Sequence, residues 1–188
     1  MEFKILYNNY TNEELLSLAK LHKSILTDSI ATNMSANSLA KIYDFLIKKN
    51  LLLVGNIIQD RELIGSISLV MNKISLKNLT LDFLKIFLHI GLSYVRRPIN
   101  TLAESFQKYF AYKNIDYDIN IIFLFVDHKH RRKNLASELI NFVMKELKGT
   151  ITVDTNRTNS NAVGFYKKNG FTIVRETKKK VVLKLEKI

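Results

Sequence analysis

Apolar and polar positions along the 188-residue chain change period from one segment to the next. EFKILY (2–7) reads as a strand. NEELLSLAKLHKSIL (12–26) carries apolar residues at helical spacing, with Thr11 placed to cap it and Glu14 completing a capping box. SANSLAKIYDFLIKKN (35–50) repeats the helical signal, opened by a serine and closed by lysines and an asparagine. In LLLVGNIIQDRELIGSISLVMN (51–72), two apolar runs rich in β-branched residues flank the polar QDRE, which predicts a hairpin.

Residues 73–113 interrupt this plan with a helical insertion. NLTLDFLKIFLHIGLSYV (78–95) has polar residues at Asp82, Lys85, His89 and Ser93, in steps of three, four and four, so its polar stripe is narrow and most of the helix surface is apolar. It is too short for the ~20 residues of a spanning helix, so burial within the fold is the favoured reading over a membrane surface. Pro98 suits the first turn of a second helix with TLAESFQKYFAYK as its body. Beyond it, IDYDINIIFLFVD (115–127) is the strongest strand signal and predicts a central strand. The loop HKHRRKN, the amphipathic LASELINFVMKELKG and the strand ITVDTN then make a βαβ unit. TNRTNSNAVGFYKKNGF (155–171) supplies one more helix, and FTIVRETKKKVVLKLEKI a closing pair of strands around a lysine turn. The predicted fold is one α/β (α+β) domain, a mixed central sheet flanked by helices.

A hydrophobic share of 47% supports a sizeable core for this length. The chain has no cysteine, which excludes disulfides and thiolate metal sites and makes a cytoplasmic setting the simplest reading. MEFKILYNNYTNEELL carries acids where a signal peptide has a basic start and a long apolar run. The net charge of +12 favours anionic partners without choosing among cofactor phosphates, nucleic acid and acidic membranes.

The basic loop narrows that choice. A helix that starts directly after a central strand offers unpaired N–H groups and a partial positive charge, and Arg131, Arg132 and Lys133 add full charges there. Such a place suits a pyrophosphate. Residues 118–171 resemble the core of the GNAT superfamily of acyl-CoA-dependent acyltransferases. The family's loop Arg/Gln-x-x-Gly-x-Gly/Ala stands here as Arg131-Arg-Lys-Asn134-Leu-Ala136, and its later motif Asn-x-x-Ala-x-x-Phe-Tyr-x-x-x-Gly-Phe is met by Asn159, Ala162, Phe165, Tyr166, Gly170 and Phe171. The resemblance implies that backbone groups of Leu124, Phe125 and Val126 pair with the pantetheine arm of acetyl-CoA. It implies further that N–H groups of Arg131, Arg132, Lys133, Asn134, Leu135, Ala136 and Ser137 hold the CoA pyrophosphate, and that Asn159 contacts the CoA moiety. Tyr166 would be the general acid for the departing thiolate, with no metal or further cofactor needed. A phenol of pKa ~10 is a suitable donor for that step.

Two positions depart from the family pattern. Asn134 replaces the first loop glycine, and asparagine tolerates the left-handed conformation better than most residues. Asn120 stands where many relatives have a glutamate general base, and an amide cannot accept the proton of an ammonium substrate. Asp118, two residues earlier on the same strand face, is the nearest replacement, with Asp116 and an ordered water as alternatives. The histidines of HKH (128–130) sit beside a basic loop that repels cations, so a solvated loop is favoured over a metal site.

The expected activity is transfer of an acetyl group to a primary amine of a small molecule or sugar, with a peptide or protein amine as the alternative acceptor. The acceptor groove is sought in LHKSI (21–25), the hairpin and the insertion. A non-catalytic module of the same fold that binds RNA or anionic surfaces is the rival from another class. The scattered lysines argue against a nucleic-acid partner. The oligomeric state, a homodimer included, stays open.

Overall fold

The computed structural model describes residues 1–7, 9–26, 34–71 and 115–186. The insertion at 73–113 lies outside the described residues. The described elements are β1 (Glu2–Leu6), α1 (Asn12–Ile25), α2 (Ala36–Lys48), β2 (Leu53–Gln59) and β3 (Glu62–Met71), then β4 (Ile119–Val126), α3 (Leu135–Glu146), β5 (Ile151–Asn156), α4 (Ser160–Lys168), β6 (Thr172–Glu176) and β7 (Lys180–Leu185). Together the strands form a seven-stranded mixed sheet in the order β1-β2-β3-β4-β5-β7-β6, the α/β arrangement expected. No helix among the described residues is long and apolar enough to cross a membrane.

Local chemistry fixes the first helices as the sequence predicts. The Thr11 hydroxyl accepts the Glu14 N–H at 3.2 Å while the Glu14 carboxylate accepts the Thr11 N–H at 2.7 Å, a complete capping box. Ser35 caps α2 by accepting from Ser38 N.

Each face of the sheet buries its own core. Leu15, Leu18 and Ala19 of α1 and Leu39, Tyr43 and Ile47 of α2 cover one face, against Val54 and Phe125. On the other face, Leu139, Ile140 and Val143 of α3 pack on Ile57, Ile67, Ile119 and Ile121, joined by Tyr166 of α4 and Phe171. The close seat of α3 depends on Gly55, where an added Cβ would lie 2.7 Å from a Val143 methyl. Burial of this kind stabilises each large aliphatic side chain by about 1.5–3 kcal/mol.

Candidate active site

The site begins where two parallel strands part. β4 pairs with β5 only through Ile119↔Ile151, Asn120↔Thr152 and Ile121↔Val153. Beyond those rungs each strand keeps only its other neighbour, β4 holding β3 as far as Val126 and β5 holding β7 as far as Asn156. A bulge sits at the branch point: Leu69 faces Ile121 and Ser68 faces Phe123, which leaves Ile122 unmatched. Bulges bend a strand and raise its twist, and here the bend accompanies the separation of β4 from β5.

The resulting fork exposes main-chain groups. Asp127 donates its N–H to Ile64 of β3 at 2.7 Å, so by strand alternation Phe125 is also directed to β3. Leu124 and Val126 therefore turn their N–H and C=O groups into the fork. Of these, the Val126 carbonyl accepts from Arg131 Nε at 3.2 Å, which ties the basic loop back onto the strand end. An extended ligand arm entering the fork would meet Leu124 and the Val126 N–H, but not the main chain of Phe125.

The loop that follows is a cradle for an anion. Asn134, at the N-cap of α3, adopts φ 61 and ψ 4, the left-handed conformation that the loop motif assigns to glycine. Arg132 is also left-handed, at φ 62. Turn conformations that include left-handed residues direct successive N–H groups to one concave side. No acceptor among the described residues takes the N–H groups of Arg131 through Ala136. Ser137 differs, because its N–H is committed to the Asn134 carbonyl at 3.0 Å. Asn134 makes no side-chain capping bond, so the helix terminus stays open to a ligand.

Tyr166 and Asn159 come from α4. Asn159 caps this helix, its Oδ1 accepting from Ala162 N at 3.1 Å, which leaves its Nδ2 for a ligand. Tyr166 packs edge-to-face on Phe165 and Phe171, with ring centroids 5.2 and 5.3 Å away, and is 7% exposed. Its hydroxyl has no hydrogen-bond partner among the described residues. Burial first, and then the negative charge of Asp154, push its pKa well above the usual phenol value. The group therefore stays protonated across the working pH range. At Gly164 on the same helix an added Cβ would meet nothing within 4 Å, so this surface is open.

The expected base lies elsewhere. Asp118 precedes β4 at the closed end of the β4–β5 pair, where its Oδ2 accepts from Thr150 N at 2.9 Å and Thr150 Oγ1 at 3.1 Å. It also packs against Gly149, whose Cβ, if present, would lie 2.5 Å from that oxygen. At ~3.3 Å per residue, the four residues from Asp118 to the bulge at Ile122 place this carboxylate about 13 Å from the branch point. The structure thus sets Asn159 just beyond the free end of β5 and the basic loop just beyond that of β4, packs Tyr166 into the cluster on the α3 face, and holds Asp118 at the closed end by strand-end hydrogen bonds. Asn120 is buried and donates from Nδ2 to Thr152 Oγ1 at 3.2 Å.

His22, within LHKSI, is 1% exposed and packs on Phe123, with centroids 4.6 Å apart, beside Phe125. Its Nδ1 shares a 2.6 Å hydrogen bond with Tyr43 Oη, and burial lowers its pKa to about 4. The histidine is neutral near pH 7 and joins α1 and α2 to β4 just past the bulge. HKH forms a short 3-10 turn, with the Asp127 carboxylate accepting from Lys129 N at 2.8 Å. No cluster of three or more His, Asp or Glu side chains suited to a metal ion occurs among the described residues.

Comparison with known proteins agrees with this geometry. Residues 102–173 match the family model described as acetyltransferase (GNAT) domain. A search of curated protein sequences finds no match. Among solved structures, the PaiA N-acetyltransferase of Thermoplasma acidophilum in complex with coenzyme A is 15% identical, with all of both chains covered and a TM-score of 0.54. Arabidopsis thaliana NAA60 in complex with acetyl-CoA is 14% identical over 98% of this chain and 97% of its own, with a TM-score of 0.59. An aminoglycoside 6'-acetyltransferase type Ii, also 14% identical, covers 99% and 97% of the two chains with a TM-score of 0.59. Identities this low speak to the fold. Residues 102–173 thus match the GNAT acetyltransferase domain, and the chain shares its fold with acetyltransferases of that kind along nearly its whole length.

Proposed function

We propose that the protein is an N-acetyltransferase that moves the acetyl group of acetyl-CoA to a primary amine of a small molecule or sugar. The observation that carries this reading is the fork between β4 and β5, lined by main-chain groups of Leu124 and Val126 and ending in the open N–H cradle of Arg131–Ala136. An extended amide-bearing arm fits the first, and a pyrophosphate fits the second. Arg132 and Lys133 supply positive charge beside the cradle, while Arg131 holds the loop against Val126.

In the proposed reaction the amine attacks the thioester carbonyl, the C–S bond breaks, and Tyr166 gives its hydroxyl proton to the thiolate. Its burial and the absence of a competing hydrogen bond among the described residues favour that role. Asn159 would offer Nδ2 to the CoA moiety while its oxygen keeps α4 capped. An aminoglycoside 6'-acetyltransferase shares the fold, which agrees with a small amine acceptor; PaiA and NAA60 share it as well.

The test joins two measurements. Acetyl-CoA at millimolar concentration should raise the melting temperature, and a panel of spermidine, glucosamine, kanamycin and a peptide with a free N-terminus should release CoA above the hydrolysis control. No thermal shift, together with tight and salt-dependent RNA binding, would replace this reading with a binding module.

A further inference from the structure

Resting on the acetyl-transfer reading, we infer that Asp154 of β5 is the group that takes the proton from the acceptor's ammonium. Its position is the first on β5 beyond the last β4–β5 rung, Ile121↔Val153, so it stands at the branch of the fork. In a strand its side chain shares a face with Thr152, whose hydroxyl meets Asn120, and that is the face covered by α1 and α2. The carboxylate side chain is 11% exposed and is held at 3.0 Å by Lys180 Nζ from β7.

Reaction geometry selects this residue over Asp118. The attacking nitrogen must approach the carbonyl carbon to about 3–3.5 Å, and that carbon is bonded to the sulfur that Tyr166 serves. Acid and base must therefore flank one small centre. Asp154 stands at the branch from the α1/α2 face and Tyr166 belongs to the cluster on the α3 face, so the two address the fork from opposite sides; the charged and titratable groups that face Asp154 include Lys180, Tyr166 of α4 and Tyr117 ahead of β4. Asp118 is fixed at the opposite end of the strand pair by Thr150.

The steps balance. R-NH3+ transfers one proton to the Asp154 carboxylate, and the free amine attacks acetyl-CoA to give a tetrahedral adduct. Collapse breaks C–S, and the thiolate takes the Tyr166 proton. The nitrogen of the nascent amide returns a proton to the phenolate, and Asp154 releases its own to water. Acetyl amide, CoA thiol and one proton leave.

The experiment uses the full chain with the best amine from the panel and compares wild type, Asp154→Asn and Lys180→Met. Acetyl-CoA should stabilise all three alike. At pH 7, Asp154→Asn should lose roughly a hundredfold or more in kcat/KM, as for loss of a general base. That deficit should narrow toward pH 10, where about a quarter of an amine of pKa ~10.4 is already free base, against well under a thousandth at pH 7. Lys180→Met, which keeps the carboxylate, should lose less than about tenfold, in the range of a weakened positioning contact. Equal losses in both variants with no narrowing at high pH would reduce the pair to a structural bridge and overturn the inference. Near-wild-type turnover by Asp154→Asn would overturn it too, while leaving the acetyl-transfer reading in place. Absence of any acetyl-CoA effect on the wild type would instead remove that reading, and this inference with it.

Discussion

The Asp118 carboxylate closes on Thr150, taking the Thr150 N–H at 2.9 Å and its hydroxyl at 3.1 Å through a single oxygen. This pair fastens the closed end of the β4–β5 junction, opposite the fork. Asp118→Ala should therefore cost about 2 kcal/mol of stability, the loss of a charge-assisted bond and a satisfied N–H. Turnover per folded molecule should remain. Gly149→Ala should destabilise at least as much, because its φ of 111 disfavours a side chain and the new Cβ would meet Asp118 at 2.5 Å. Denaturant unfolding alongside CoA-release assays checks both.

Tyr166→Phe should fold normally, since the ring keeps its contacts with Phe165 and Phe171 and the hydroxyl has no partner among the described residues to abandon. Turnover should fall by about 10²–10⁴, the usual contribution of a general acid. Acetyl-CoA binding should change little. Wild-type activity at full turnover in the variant would remove the hydroxyl from the mechanism.

Asn134 tests the cradle. Its φ of 61 costs an L-residue about 1–2 kcal/mol, so Asn134→Gly should raise the melting temperature and keep acetyl-CoA affinity. Asn134→Val should lower both, because a β-branched side chain resists that conformation. Differential scanning calorimetry with and without acetyl-CoA provides the measurement.

His22 gives the acid limb of stability. Its folded-state pKa near 4 lies below the unfolded value of 6.5, so the folded state excludes a proton that the unfolded chain binds. Stability is complete above pH 6.5 and is lost as pH falls toward 4, by about 3 kcal/mol at the lower end. His22→Gln should be less stable at neutral pH, because Tyr43 loses its partner, yet should flatten this pH dependence. Urea unfolding between pH 7 and 4 would expose a mismatch.

Much of this protein is determined by short-range chemistry that a sequence carries in itself. Thr11 and Glu14 make a capping box wherever a helix begins between them, and period alone separates the hairpin from the flanking helices. Asn134 likewise announces a left-handed residue, and the spacing from Asn159 to Phe171 places Tyr166 and the turn at Gly170, with φ of 86. Tertiary structure decided the rest. Where β4 parts from β5 depends on a bulge at Ile122, which exists only because β3 opposes it with one residue fewer. That branch point, and not the order of acids along the strand, is why Asp118 ends as a strand clamp while Asp154, silent in the sequence, stands at the fork. The main-chain direction of Phe125 and the left-handed turn at Arg132 were hidden for the same reason. Local pattern sets what each segment is, whereas distances between residues far apart in the chain are set only when the strands register and pack.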